Sequence, residues 1–235
     1  MLLFFDFDGT LADSSPGIYA SFELACSRLN LTAPLFHEFC EAIGPPVQRI
    51  AHRFFPDLTD SEIEEFRQIF RDDYDNERFR LFNWYEGVKP TIKALAALPS
   101  CRLTIVTNKP TGPTLELLRM GGLSAFFDLV VGIDYQMHHG IGPAFRTKAE
   151  AIKLAHARLG KGEVPSIYIG DTPSDRDASQ ACGLEFIAAT YGFHRWHDSE
   201  LSASFSISAI SGLIPLLQAK SSARLQSRHD RGVRP

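Results

Sequence analysis

MLLFFDFDGTLADSS (residues 1–15) opens on an apolar run that stops at Asp6 and Asp8, two carboxylates flanking Phe7, with Gly9 and Thr10 directly behind them. LLFFDF offers no polar face, the pattern of a strand covered on both sides in a parallel sheet. Acids clustered at the end of such a strand cap a helix, hold a cation or take part in chemistry.

Working outward, three further runs read the same way: Leu103–Thr107 (LTIVT), Phe127–Gly132 (FDLVVG) and Ser166–Gly170 (SIYIG), with a weaker one at Phe186–Thr190. Helical patterns lie between them, at Lys89–Leu98, Thr111–Gly122, Lys148–Leu159 and Ser174–Gly183. Strand and helix in alternation imply right-handed crossovers and an α/β, doubly wound, mainly parallel Rossmann-like sheet. Residues 16–85 break the alternation. Their apolar residues recur at helical spacing, and Thr59 with Glu62 fits a capping box. The expected organisation is therefore a core of residues 1–15 and 86–217, a small helical cap of residues 16–85 inserted after the first strand, and a disordered tail of residues 218–235.

The bulk properties set bounds. In 235 residues, 44% are hydrophobic and 22% charged, enough apolar chain for one large domain or a core with a smaller module. A net charge of −4 supplies no basic field for nucleic acid or an anionic membrane, so neither is expected as a partner. The four cysteines are scattered without a CxxC pair, which argues against zinc or dithiol chemistry. The apolar start is too short for a cleavable signal, and no run of 18 apolar residues exists. A soluble, cytoplasmic protein is expected; oligomeric state is not legible.

Ligands of open α/β sheets bind at the carboxyl ends of the strands. Asp6 and Asp8 end the first strand there, Thr107, Asn108 and Lys109 the second, and Asp171 and Asp175 follow the fourth in GDTPSD. Two ionised carboxylates about 4 Å apart repel by about 4 kcal/mol at an effective dielectric near 20, so protons or a divalent cation must relieve the cluster. Hard oxygen ligands suit Mg²⁺, which keeps waters and takes substrate phosphate oxygens. A phosphate ester follows as the substrate class, met by Lys148 and by the hydroxyl and amides around Thr107 and Asn108. An EF-hand does not fit: the glycine comes too early, and the twelfth position from Asp6 is Gly17. Helix capping by Asp8 alone leaves the second acidic cluster unexplained.

DFDGTLADS, VTNKP and GDTPSD, in this order and each after an apolar strand, resemble the haloacid dehalogenase-like phosphohydrolases, most closely their phosphoglycolate phosphatase branch. The resemblance extends from Met1 to about Leu217. It implies that Asp6 attacks phosphorus to form an aspartyl-phosphate, and that Asp8 protonates the leaving alcohol and then deprotonates water. It implies Mg²⁺ held by the Asp6 carboxylate, the Asp8 carbonyl and Asp171, with Asp175 as a further ligand or supporting partner. Thr107 and Lys148 would bind the phosphoryl group, helped by the amides that follow Asp6, through Gly9 and Thr10. An acid at Asp8 separates phosphoryl transfer from dehalogenation, in which halide leaves without a proton. The absence of lysine from residues 16–80 sets aside the phosphonate-cleaving branch.

Lys148 opens a helix after a longer loop than that branch shows, with His138 and His139 near the place where Lys-Pro stands there; Lys153 reads as helix surface. Lys109 reads as a substrate neighbour or a solvated loop lysine, and Asp13 as the cap of the helix starting near Pro16. The insert resembles the family's lid, with Ala42–Ile50 as a specificity loop, Arg49 as its anion ligand or a surface residue, and Asn83–Pro90 as a hinge. The leading expectation is a Mg²⁺-dependent phosphomonoesterase acting on a small phosphorylated metabolite, including phosphoglycolate. A phosphomutase or pyrophosphatase with the same covalent chemistry is the nearest alternative, and a non-catalytic binder of phosphorylated ligands the more distant one.

Overall fold

The computed structural model describes residues 1–160, 164–201 and 204–229, with side chains described up to residue 222. In chain order the strands are β1 (Leu2–Phe5), β2 (Ala12–Asp13), β3 (Asn83–Trp84), β4 (Arg102–Thr107), β5 (Leu129–Gly132), β6 (Ser166–Gly170), β7 (Glu185–Ala189) and β8 (Phe205–Ile207). The helices are α1 (Ser15–Arg28), α2 (Phe36–Cys40), α3 (Val47–Phe54), α4 (Asp60–Tyr74), α5 (Val88–Ala96), α6 (Thr111–Gly121), α7 (Tyr135–His138), α8 (Lys148–Leu159), α9 (Pro173–Gln180), α10 (Asp198–Leu201) and α11 (Leu213–His229).

Six strands form one parallel sheet in the order β5-β4-β1-β6-β7-β8, so the expected fold class holds. Alternation within β1 explains why no residue of LLFF is polar. Leu3 and Phe5 join one core with Ile92, Leu117 and Leu213 of α5, α6 and α11. Leu2 and Phe4 join the other with Ala151 and Ile152 of α8. At about 25 cal/mol per Å² of apolar area buried, two covered faces on one central strand make it the hydrophobic centre of the molecule.

Within the expected helical stretch 16–85 lie α1–α4 and a 3-10 turn at Arg78–Arg80, while Asn83–Trp84 at its end is the strand β3. Phe22, Phe39 and Phe66 are fully buried and pack ring against ring, with Phe22–Phe39 centroids at 4.6 Å and Phe22–Phe66 at 4.8 Å. Thr59 caps α4, its hydroxyl accepting from the Glu62 amide at 3.3 Å while Glu62 Oε2 accepts from the Thr59 amide at 2.8 Å. β2 and β3 pair antiparallel, so the chain leaves for the helical insert and returns on one short two-stranded ribbon. Asp13 Oδ1 accepts from the Ser15 amide at 3.0 Å and its hydroxyl at 2.6 Å, stabilising the first turn of α1.

Besides the unexpected β2/β3 ribbon, two differences from the sequence reading stand out. β8 extends the sheet by one strand, its short FSI being too brief to register as a pattern. The expected tail from residue 218 is helical as far as His229: α11 buries Leu213 and Leu217 against the core, and the helix continues beyond its anchored turns. Residues 230–235 of that tail lie outside the described residues. No described helix is long and apolar enough to cross a membrane.

Candidate active site

Asp6 is placed by backbone first. Its amide donates to the Ile169 carbonyl at 2.9 Å, the last rung between β1 and β6, so its side chain emerges where the sheet ends. β6 delivers Asp171 one residue beyond its own end, and α9 begins at once. Thr172 caps that helix: its hydroxyl accepts from the Asp175 amide at 3.3 Å and donates to Asp175 Oδ2 at 2.6 Å. Asp6, Asp171 and Asp175 are all buried, with one carboxylate oxygen of each within 4.8 Å of the others.

Lys148 faces this trio. Its Nζ lies 3.0 Å from Asp6 Oδ2 and donates to Asp175 Oδ1, with the side chain 5% exposed. It is the first residue of α8, where the helix dipole disfavours a cation, so the carboxylates outweigh the local preference. Tyr168 lies beneath, its hydroxyl donating to the Val106 carbonyl at 2.6 Å. The site lysine of the sequence reading is thus brought to the acids, while Lys153 is exposed on the same helix.

The charges explain the titration. Burial, followed by Asp175 and Asp6, raises the Asp171 carboxyl well above the usual range, against the Phe193 amide, which lowers it. Burial pushes Asp6 up to about 6, with Lys148 acting against it and Asp175 adding to it. Burial alone would lower the Lys148 ammonium, but Asp175 and Asp6 hold it up. With all three carboxylates ionised against one ammonium, the cluster lacks two positive charges. Asp6 Oδ1, moreover, is buried without a hydrogen-bond partner. An all-oxygen donor set, a deficit of two charges and an orphaned carboxylate oxygen fit a divalent Mg²⁺.

Asp171 is held by groups the sequence reading did not assign. Thr10 Oγ1 donates to its Oδ1 at 3.2 Å and the Phe193 amide to its Oδ2 at 2.9 Å. Thr10, read as a phosphate ligand, is therefore committed to Asp171 through its hydroxyl. Its amide and that of Gly9 are also engaged, with the carbonyls of Phe7 (3.3 Å) and Ala12 (2.8 Å). The tight turn at Gly9 closes on itself, which leaves the Phe7 and Asp8 amides outside the backbone hydrogen bonds of the described residues. Gly9 has φ +80°, and a Cβ there would overlap the Asp171 carboxylate, so the position demands glycine twice over.

Asp8 stands apart from the trio. Its Oδ1 accepts from Lys109 Nζ at 3.1 Å, so its carboxylate belongs to a second, self-neutralising pair. Lys109 is no solvated loop residue: its side chain is 1% exposed and also donates to the Tyr74 hydroxyl. Thr107 is buried at the end of β4, its Oγ1 accepting from the Lys109 amide at 3.2 Å. Asn108, read as a phosphate ligand, donates through Nδ2 to the Gly44 carbonyl at 3.0 Å, tying the Ala42–Ile50 loop to the core. Arg49, His138 and His139 are exposed.

The sequence model of the haloacid dehalogenase-like hydrolases matches residues 3–189. The chain is 28% identical over 225 residues to a phosphoglycolate phosphatase of Pseudomonas putida, covering 91% of this chain and 78% of that one. It is 30% identical over 181 residues to the pyrophosphatase PpaX of Bacillus pumilus, covering 77% and 79%. A solved haloacid dehalogenase-like hydrolase from Streptococcus pneumoniae superposes with a TM-score of 0.80 at 25% identity, over 92% of this chain and 97% of that one. The turn that places Asp6 and Asp8 and the capped helix that places Asp175 both lie within the matched span, and the chain belongs to the haloacid dehalogenase-like hydrolase family.

Proposed function

We propose that this chain is a Mg²⁺-dependent phosphomonoesterase that acts on a small phosphorylated metabolite through a phosphorylated Asp6. The observation that carries the reading is the inner cluster: Asp6 with one oxygen on Lys148 and the other unpartnered, beside Asp171 and Asp175, with two positive charges missing. Asp6 and Asp171 would hold the metal with the Asp8 carbonyl. Asp175, both of whose oxygens are occupied by Lys148 and Thr172, orients the lysine and supports the set. Mg²⁺ bound there would neutralise phosphate oxygens and let carboxylate and phosphate approach.

The remaining work falls to the chain's own groups. An Asp6 oxygen forms the new bond to phosphorus as the bond to the leaving oxygen breaks, and Asp8 supplies that oxygen with a proton. Water then attacks phosphorus, gives its proton to Asp8 and releases phosphate, freeing Asp6. Lys148, Thr107 and the Phe7 and Asp8 amides stabilise charge on the transferring group. The helices of residues 14–82 act as a cap on the β2/β3 ribbon, with Arg49 and the Ala42–Ile50 loop facing the substrate.

The phosphoglycolate phosphatase relative makes 2-phosphoglycolate the first substrate to try, and the PpaX relative supports pyrophosphate as the second. Hydrolysis of para-nitrophenyl phosphate with and without Mg²⁺ tests the class. Activity that requires Mg²⁺ and vanishes in Asp6→Asn is expected; wild-type activity unchanged by Asp6→Asn, or none at all, refutes it. Ranking a panel of phosphorylated metabolites by kcat/KM then names the substrate.

A further inference from the structure

Outside the acidic trio, one buried cation touches both the sheet and the helical insert. Lys109 Nζ donates to Asp8 Oδ1 at 3.1 Å and to the hydroxyl of Tyr74, the last residue of α4. The ammonium lies 4.7 Å from the Tyr74 ring centroid and 5.8 Å from that of Phe7. Tyr74 is itself buried and stacked on Phe70 at 5.3 Å. Desolvating an ammonium is unfavourable, and a pair kept only for packing is readily replaced by apolar side chains. This pair instead joins the carboxylate beside Asp6 to a helix on the far side of the β2/β3 ribbon.

We propose that Tyr74 is a positioning residue for the proton step. Through Lys109 it holds Asp8 by Oδ1, leaving Oδ2 to pass the proton to the leaving oxygen. Asp8 is then correctly aimed only while α4 is seated on the core. The inference rests on Asp8 acting as the acid and base of the proposed phosphatase. Tyr74 moves no electrons and no proton of its own. The bond changes are those at phosphorus already described, and only the geometry of Asp8 depends on it.

Leaving groups that differ in their need for a proton separate this role from packing. Para-nitrophenolate departs almost unaided, whereas an alkoxide departs only with a proton. kcat/KM is the readout, because it reports steps up to the first phosphoryl transfer. Tyr74→Phe keeps the ring and removes the hydroxyl. Its kcat/KM for an alkyl phosphate such as glycerol 2-phosphate is expected to fall about tenfold or more, and for para-nitrophenyl phosphate by less than about threefold. Lys109→Met, which cuts the same chain at its middle, is expected to show the same skew and decides the matter if Tyr74→Phe does not fold. Equal losses on both substrates, or no loss on either, overturn the inference. If the wild type hydrolyses neither substrate in an Asp6-dependent way, it is the phosphatase reading that fails.

Discussion

Replacing Lys148 by methionine is the most informative single perturbation. At 3.0 Å from Asp6 Oδ2, the ammonium attracts that carboxylate by about 5 kcal/mol at an effective dielectric of 20, before the opposing desolvation is counted. Asp175 Oδ1 adds a second contact of the same kind. Removing one partner of a buried ion pair leaves the other uncompensated, at a cost of about 3–5 kcal/mol, against a total stability of about 5–15 kcal/mol for a typical domain. Urea unfolding followed by circular dichroism, without metal at about pH 7.5, is therefore expected to show Lys148→Met destabilised by about that amount. Exposed Lys153→Met should stay within about 0.5 kcal/mol of wild type. Saturating Mg²⁺ should recover part of the loss, because it offsets the same repulsion. In the metal-loaded enzyme kcat/KM should still fall by about 10²–10³, since the metal cannot take the place of a donor aimed at the phosphoryl oxygens. A Lys148→Met protein as stable and as active as Lys153→Met would refute the reasoning. Lost stability with full activity would reduce Lys148 to a structural counter-ion.

Two further outcomes follow from the same geometry. Asp6 has its carboxyl raised from 3.8 to about 6, and Asp171 is raised as well. The metal-free stability from Asp6 is thus present below about pH 4 and lost as pH rises through about 6, by about 3 kcal/mol, and the raised Asp171 acts in the same direction. The rise in Tm on adding Mg²⁺ should accordingly grow between about pH 5 and pH 7.5, and a shift independent of pH would contradict it. Gly9→Ala places a methyl group into the Asp171 carboxylate at a left-handed φ and should abolish Mg²⁺ binding by calorimetry, at a cost above about 3 kcal/mol. Gly122→Ala, at φ +68° with open space around it, should cost only about 1–2 kcal/mol and leave binding intact.

What was legible in the chain is what neighbours in sequence decide. The apolar runs become β1, β4, β5, β6 and β7 because a strand covered on both faces selects apolar side chains at most positions. The Thr59–Glu62 cap acts over three residues, and the carboxylates at strand ends follow from the direction of parallel strands. Position in sequence could not say which oxygen faces which donor. Lys109, as well read as solvated, is sealed by a tyrosine 35 residues away. Thr10, four residues beyond Asp6, turns to Asp171 across 161 residues. The Phe193 amide that holds Asp171 is a backbone group with no residue signature at all. α11 outlasts its apolar pattern because an anchored helix extends at little cost once nucleated. The sequence by itself determined the five apolar strands, the Thr59 cap and the set of charged groups at one rim. Only the tertiary structure decided how those charges divide into an inner cluster short of two positive charges and an outer pair latched to the helical insert, because that division depends on distances of about 3 Å between segments that local pattern leaves unrelated.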